Sequence, residues 1–271
     1  MLMAIESVSK SHFRLRVSEL YKYRGLIWAL TKRHLAQRYR GSLLGFLWSF
    51  LNPLCLMLVY MLVFQFYIRF DAVENYTIFL FCGLLPWIWF SSALIEGTAA
   101  ISSGGHLITK SLFPAHILPI VSVLTSLVNY ILSLPLLFIF MWFMGSEFYL
   151  SLCFLPALVA IQLLLLAGLT LLLGSLNVYF RDIQHIVTNL LTLLFFLCPI
   201  IYPISVVPER FRFTMEYNPL ALLTAGYQSV ILNGMLPSLQ SIAVLLGVAV
   251  AAVLVGYLAY EHYHESFAEL L

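Results

Sequence analysis

Seven histidines, four cysteines and a handful of amides in apolar surroundings are the side chains of this sequence best suited to chemistry. Nucleophilic or metal-assisted catalysis needs a base beside a nucleophile, or ligands converging on one point. His34, His106, His116, His185, His262 and His264 fall at the ends of apolar runs with no HExxH spacing, and His12 belongs to a basic leader, so solvated surface positions are expected. Cys55, Cys82, Cys153 and Cys198 lie in apolar stretches without a CxxC spacing, which points to packing and away from a disulfide or a metal. A phosphate-cradling GxxxxGK(S/T) loop is absent, so if ATP powers this protein the motor is a separate polypeptide. The chain is expected to hold no catalytic residue, no metal and no cofactor of its own.

Side chains able to handle a cargo are more numerous. Glu96 stands at the inner end of an apolar run, and Gln65, Asn129 and Gln162 lie within such runs, where amides either bond neighbouring helices or touch a substrate. Pro53, Met57, Tyr60, Phe64 and Tyr67 fall within an arc of about 80° at the helical period, and Thr188, Thr192, Phe195, Pro199 and Tyr202 do the same. Two such stripes could line one conduit, with ring faces stacking on the C–H faces of sugars and hydroxyls bonding them; ordinary helix packing is the alternative. Lys32, Arg33, Arg38 and Arg40 could hold the pyrophosphate of a lipid-linked substrate, or could simply set topology and touch anionic lipid.

The elements that position these residues must be membrane helices. Hydrophobic residues make up 62% of the chain and charged ones 10%, with a mean hydropathy of +0.97. Stretches free of Asp, Glu, Lys and Arg cover 41–68, 75–95, 111–146, 148–180, 183–208 and 217–260, each able to supply the ~20 residues of a membrane helix. Barrel strands would be about 10 residues long with alternating polarity, so helices remain. Nine of the fourteen Lys and Arg precede Gly41, which keeps the N-terminus in the cytoplasm. Six crossings put eleven of the fourteen inside, and leave Arg69, Glu147, Arg210 and Arg212 outside. The charge-rich start has no signal-peptide pattern, so no cleavage is expected.

The expected fold is all-α, a polytopic membrane protein in three parts. Residues 1–40 form a cytoplasmic basic leader ending in an imperfectly amphipathic interface helix, lying along the headgroups and broken at Gly41 and Ser42. Residues 41–260 carry six transmembrane helices at about 44–68, 77–94, 120–144, 152–176, 186–202 and 242–260, and residues 261–271 form a cytoplasmic tail. Trp87, Trp89 and Trp142 are assigned to interfacial belts. Asn218-Pro219 is a helix start and Asn233-Gly234 a stop. The helix they bracket is too short to cross, which makes about 208–237 a re-entrant element on the outer side.

Three ordered blocks then resemble the membrane subunits of two-component ABC-2 type exporters of lipid-linked polysaccharides, from about residue 20 to the C-terminus. They are Arg38-Tyr-Arg-Gly-Ser-Leu-Leu-Gly-Phe-Leu-Trp48 with Leu51-Asn-Pro53; Leu112-Phe-Pro114 through His116-Ile-Leu-Pro119; and Asn177-Val-Tyr-Phe-Arg-Asp182 with Pro199-Ile-Ile-Tyr202 and Asn218-Pro219-Leu220. The resemblance implies a homodimer of this subunit with two nucleotide-binding subunits that carry ATP and Mg. It also implies an undecaprenyl-linked polysaccharide as cargo, a bacterial inner-membrane location, and no nucleic acid. By the same resemblance Tyr60, Phe64, Tyr67, Thr192, Phe195 and Tyr202 line a channel between spans one and five. Gly104, His106, Lys110, Phe113, Phe180, Arg181 and Asp182 couple to the ATPase, while Lys32, Arg33, Arg38 and Arg40 contact the lipid headgroup. Pro208, Glu209, Arg210, Asn218 and Pro219 belong to an outer gate. Ala243, Gly247 and Ala251 offer a small-residue face for the dimer or for contact within the protomer. An O-antigen exporter is the expected function. Capsule or teichoic acid polymers, an exporter of drugs or lipids, and an integral membrane glycan transferase are the alternatives.

Overall fold

The computed structural model describes residues 21–67, 75–110 and 113–271, and every regular element among them is helical. The leader before Tyr21, the end of the first expected span with Arg69, and the side chains of Gln65 and Lys110 lie outside the described residues. The helices are α1 (Arg24–Tyr39), α2 (Trp48–Met61), α3 (Tyr76–Ser103), α4 (Gly105–Lys110), α5 (Ile117–Phe143), α6 (Leu155–Tyr179), α7 (Ile183–Phe196), α8 (Glu209–Glu216), α9 (Pro219–Ile231), α10 (Leu239–Tyr263) and α11 (Phe267–Leu270).

Four of them, α3, α5, α6 and α10, are long and apolar enough to cross a bilayer. The other two expected spans are shorter. α2 is extended by a tight turn at Gly45–Leu47 and a widened π-type turn at Leu62–Tyr67, making one helical rod close to the expected 44–68. α7, expected at 186–202, stops at Phe196, so its 14 residues reach only about 21 Å of a hydrocarbon layer about 30 Å thick. Pro199 lacks an N–H and cannot continue the ladder. Polar side chains take the carbonyls left over at this end: the Tyr202 hydroxyl donates to Phe196 O, Asn218 Nδ2 to Leu197 O at 3.4 Å, and Gln228 Nε2 to Pro199 O at 2.6 Å. These bonds satisfy carbonyls at the turn that follows α7.

α3 is the axis of the bundle. In its most apolar window 72% of the residues are buried inside the protein, against 22% for α10, so α10 shows most of its surface to lipid or to another subunit. Pro86 interrupts α3, and Gln162 Nε2 of α6 donates to its carbonyl at 2.9 Å, the interhelical role expected of such an amide. α10 is held to α6 at a crossing where Gly168 faces the backbone of Ala252 and Val253 and Gly256 faces the carbonyl of Gly168, with no room for a Cβ at either. Ala243, Gly247 and Ala251 occupy a different, exposed face of α10 and are not used within the protomer.

The expected interface helix is docked on the bundle. Ile27 and Thr31 of α1 are buried, Ile27 against Ile117 and Val121 of α5, while Trp28 stays 54% exposed. α1 is therefore docked by one narrow face. Gly41 follows at φ 79°, a conformation that suits glycine and ends the helix where the break was expected.

The last residues form part of the fold and are no loose tail. Tyr260 and Phe267 join Ile101, Ala115 and Val178 in a small separate core, and the Tyr179 hydroxyl donates to Tyr263 O at 3.3 Å. His116, expected at the surface, is 5% exposed and packs edge-on to Tyr260. Two of the cysteines, Cys82 and Cys198, are buried as packing residues, whereas Cys55 and Cys153 are exposed.

Candidate functional site

α2 and α7 stand on either side of α3 and leave an open groove of about 420 Å³ between them. Tyr60 from α2, Thr192 and Phe195 from α7, and Trp87 and Ser91 from α3 line it. The Tyr60 and Phe195 rings are 5.7 Å apart and tilted, and Trp87 lies 5.7 Å from Phe195. The two aromatic stripes thus meet, in part. Pro53 and Met57, at the start of the first stripe, turn into the core. Phe64 stays 6.4 Å from Tyr60 but outside the groove, Tyr67 is 74% exposed beyond it, and Tyr202 is spent on closing the end of α7.

The hydroxyls of the groove have a common polarity. Thr192 donates to Thr188 O at 3.1 Å, Thr188 to Gln184 O at 2.9 Å and Ser91 to Trp87 O at 2.9 Å. Each proton is thereby committed to the helix, which leaves oxygen lone pairs facing the groove as acceptors. Ring faces beside hydroxyl acceptors suit a ligand with C–H faces and O–H donors. Nothing in the wall is positioned to cleave or transfer a group.

Trp87 is the lining residue that the sequence reading missed, having been assigned to a membrane belt. Leu84, Trp87, Ser91 and Ile95 follow the i, i+3, i+7, i+11 pattern of one helical face, so the signal was present on span two. Trp89, also assigned to a belt, is 1% exposed and stacks on Tyr130 at 5.1 Å in the core. Trp142 is 75% exposed at the end of α5.

The residues expected to form a gate lie on two consecutive short helices. Pro208 caps α8, on which Glu209 pairs with Arg212 at 3.9 Å and Arg210 lies over the Phe211 ring at 4.8 Å. Asn218 caps α9 by accepting from Leu220 N–H at 3.0 Å, with Pro219 in the first turn, and Gly234 closes the following turn at φ 68°. Helix start and stop both fall where the residues indicated. α9 is embedded: Tyr227 is fully buried 6.4 Å from Tyr130.

The two loops expected to meet a motor are brought together. Asn177 Nδ2 donates to Ser102 Oγ at 3.1 Å, joining the end of α6 to the end of α3, and a Cβ on Gly105 would sit 3.1 Å from Leu271. Gly104 is buried and Phe113 half-buried, whereas His106, Phe180, Arg181 and Asp182 are exposed. Of the four cations, Lys32 lies over Trp28 at 5.1 Å and Arg38 pairs with Glu96 at 3.2 Å. Arg40 is exposed just past α1, and Arg33 faces a cavity between α1 and α3.

The described residues thus form a bundle of long apolar helices with a groove between α2 and α7 and paired loops at one end. A sequence model of the ABC-2 type transporter family matches residues 25–232. The chain belongs to that family. As an ABC-2 permease it resembles the O-antigen export system permease protein RfbA of Myxococcus xanthus, 43% identical over 255 residues that cover 93% of this chain and 98% of the relative. The protein of the same name from Klebsiella pneumoniae is 30% identical over 247 residues, covering 91% and 95%. The polysialic acid transport protein KpsM of Escherichia coli is 23% identical over 242 residues, covering 88% and 93%. The relatives are named as export permeases or, for KpsM, a transport protein, in keeping with a membrane component that catalyses no reaction itself.

Proposed function

We propose that this ABC-2 permease exports a lipid-linked polysaccharide, most like O-antigen, across the bacterial inner membrane. The observation that carries the reading is the groove, in which aromatic faces and hydroxyl acceptors from α2, α3 and α7 form one side of a sugar-compatible path. Rings hold successive sugars weakly enough to let a polymer slide. Two copies of the chain, groove to groove, would close the conduit, with both termini in the cytoplasm and undecaprenyl as the lipid of the cargo. The first two relatives support O-antigen over capsule, since the polysialic acid relative is the more distant.

Work comes from ATP and Mg on a separate nucleotide-binding subunit, a pair of which completes a heterotetramer. That subunit docks on the paired loops around Gly104–Lys110 and Phe180–Asp182, which the small core of Ile101, Val178 and Phe267 ties into one unit. α8 and α9 form the outer gate, with Pro208, Glu209, Arg210, Asn218 and Pro219 at their starts.

Deleting the gene is expected to trap polymer on its lipid carrier inside the cell, read by extracting lipid-linked glycan; normal surface polymer in the deletion strain would sink the proposal. Arg181→Glu inverts an exposed charge in the loop and touches no core contact. It is expected to lower copurification of the ATPase subunit, or to leave ATP hydrolysis running without export. If both are unchanged, the docking assignment is wrong.

A further inference from the structure

A second cavity of about 420 Å³, sharing no lining residue with the groove, lies behind α3 between α1, α4 and α5. Ile95 faces the groove and Glu96 faces this cavity, so α3 is a wall common to both. Its polar lining is Arg33, His34 and Gln37 from α1, Glu96 and Ser103 from α3, His106 from α4 and Ser122 from α5. The volume lies in the range that holds a small molecule or a headgroup.

The charge of this lining is one-sided. Glu96 is its one carboxylate, and Arg38, a turn beyond His34, pairs with it at 3.2 Å. Arg33 is left without an ion-pair partner among the described residues, beside the amide of Gln37 and two imidazoles. Burial, and after it the Arg33 charge, hold His34 below the usual histidine range, so near neutral pH it offers one N–H donor and no charge of its own. An amide and two imidazoles line the same cavity as this guanidinium. That is the recognition chemistry of a phosphate, for which the planar fork of arginine is suited.

The rest of the wall is apolar, with Leu30, Leu107 and Leu118, while Arg33, Gln37 and His106 are exposed, so the cavity is open to its surroundings on that side. Trp28 and Lys32 stand on the outer face of α1, a pairing typical of the membrane–water boundary. Phosphate chemistry and apolar walls at headgroup depth together fit a lipid better than a free ion.

We propose that this cavity binds an anionic phosphate carried at the inner leaflet, with Arg33 and Gln37 as its principal donors and His34 and His106 completing the ring. The site rests on the reading that α1 lies at the cytoplasmic face, but it is separate from the conduit. A headgroup seated there bridges α1 to α3 and α4, the helices next to the motor-facing loop. Glu96 tunes the site by holding Arg38 away from the ligand.

The test uses the full-length permease in nanodiscs and reads hydrogen exchange of residues 24–39 together with lipid retained in native mass spectrometry. Phosphatidylglycerol discs are expected to protect α1 relative to phosphatidylcholine discs, with one lipid retained per subunit. Arg33→Gln with Gln37→Leu is expected to weaken retention about tenfold, the effect of losing one charge-assisted contact. Glu96→Gln is expected to strengthen retention severalfold, a gain that a misfolded variant cannot imitate. Protection by inorganic phosphate alone in phosphatidylcholine discs would assign the same chemistry to a soluble anion and overturn the lipid source. Equal retention in all three proteins overturns the site. No polymer is transported in this assay, so its result is independent of the gene-deletion test of export.

Discussion

Exchanging Tyr60 and Phe195 for leucine is expected to slow export by about thirtyfold while leaving assembly with the ATPase subunit intact. Leucine keeps most of the apolar bulk, and volume-conserving swaps of this kind cost under about 1.5 kcal/mol each. Alanine would be the poorer choice, because Phe195 is only 7% exposed and truncating such a ring costs about 3–5 kcal/mol through the cavity left behind. What leucine removes is the flat face. Two ring faces worth roughly 1 kcal/mol each, by analogy with aromatic pairs, amount to between one and two powers of ten in a rate that depends on both. The readout is surface polymer per unit time, normalised to permease in the membrane. Trp87, 5.7 Å from Phe195, remains as a third ring, so the loss should be large but incomplete. Full export by a stably assembled double variant would return both residues to packing.

Much of this groove could be read in the sequence, because its two main walls carry helical stripes that show up as spacing. The limits are physical. Pro53 and Met57 share an arc with Tyr60, yet they are buried, since one helix face can pass from a core to an opening along its length and periodicity does not register depth. Pro199 was placed on a stripe as if α7 continued through it; the helix ends three residues earlier, and Asn218 and Gln228, distant in sequence, take carbonyls that the turn exposes. Such long-range satisfaction leaves no local mark. Asn218-Pro219 and Gly41, by contrast, act on their own backbone, and each stands where its type predicts.

The packing of the C-terminal residues was equally hard to read. Glu261, Glu265 and Glu269 give that segment the charge of a solvated tail, but Tyr260 and Phe267 fall on one side and complete a core with the loops of α3 and α6. Two aromatic anchors outweighed three charges that remain at the surface. Glu96 was likewise read as an isolated acid at a span end, and its partner Arg38 lies on a helix whose docking angle no spacing rule supplies.

Gly168→Leu carries the largest structural penalty expected in this protein. A Cβ at Gly168 would run into the backbone of Ala252 and Val253, and one at Gly256 into the carbonyl of Gly168. The obstacle is main chain on both sides, so no rotamer change relieves it and α10 must move off α6. Overpacking that side chains can absorb costs about 1–3 kcal/mol; here the cost should exceed that range, because α10 has little other burial to hold it. The expected result is loss of most monodisperse protein after detergent extraction. Gly247→Leu is the matched control: its Cβ meets nothing within 4 Å, and the change improves helix propensity, so the protomer should survive. If Gly247→Leu instead yields a folded but monomeric permease, the exposed face of Ala243, Gly247 and Ala251 is the dimer contact. A stable Gly168→Leu protein would mean that α6 and α10 do not cross at these glycines.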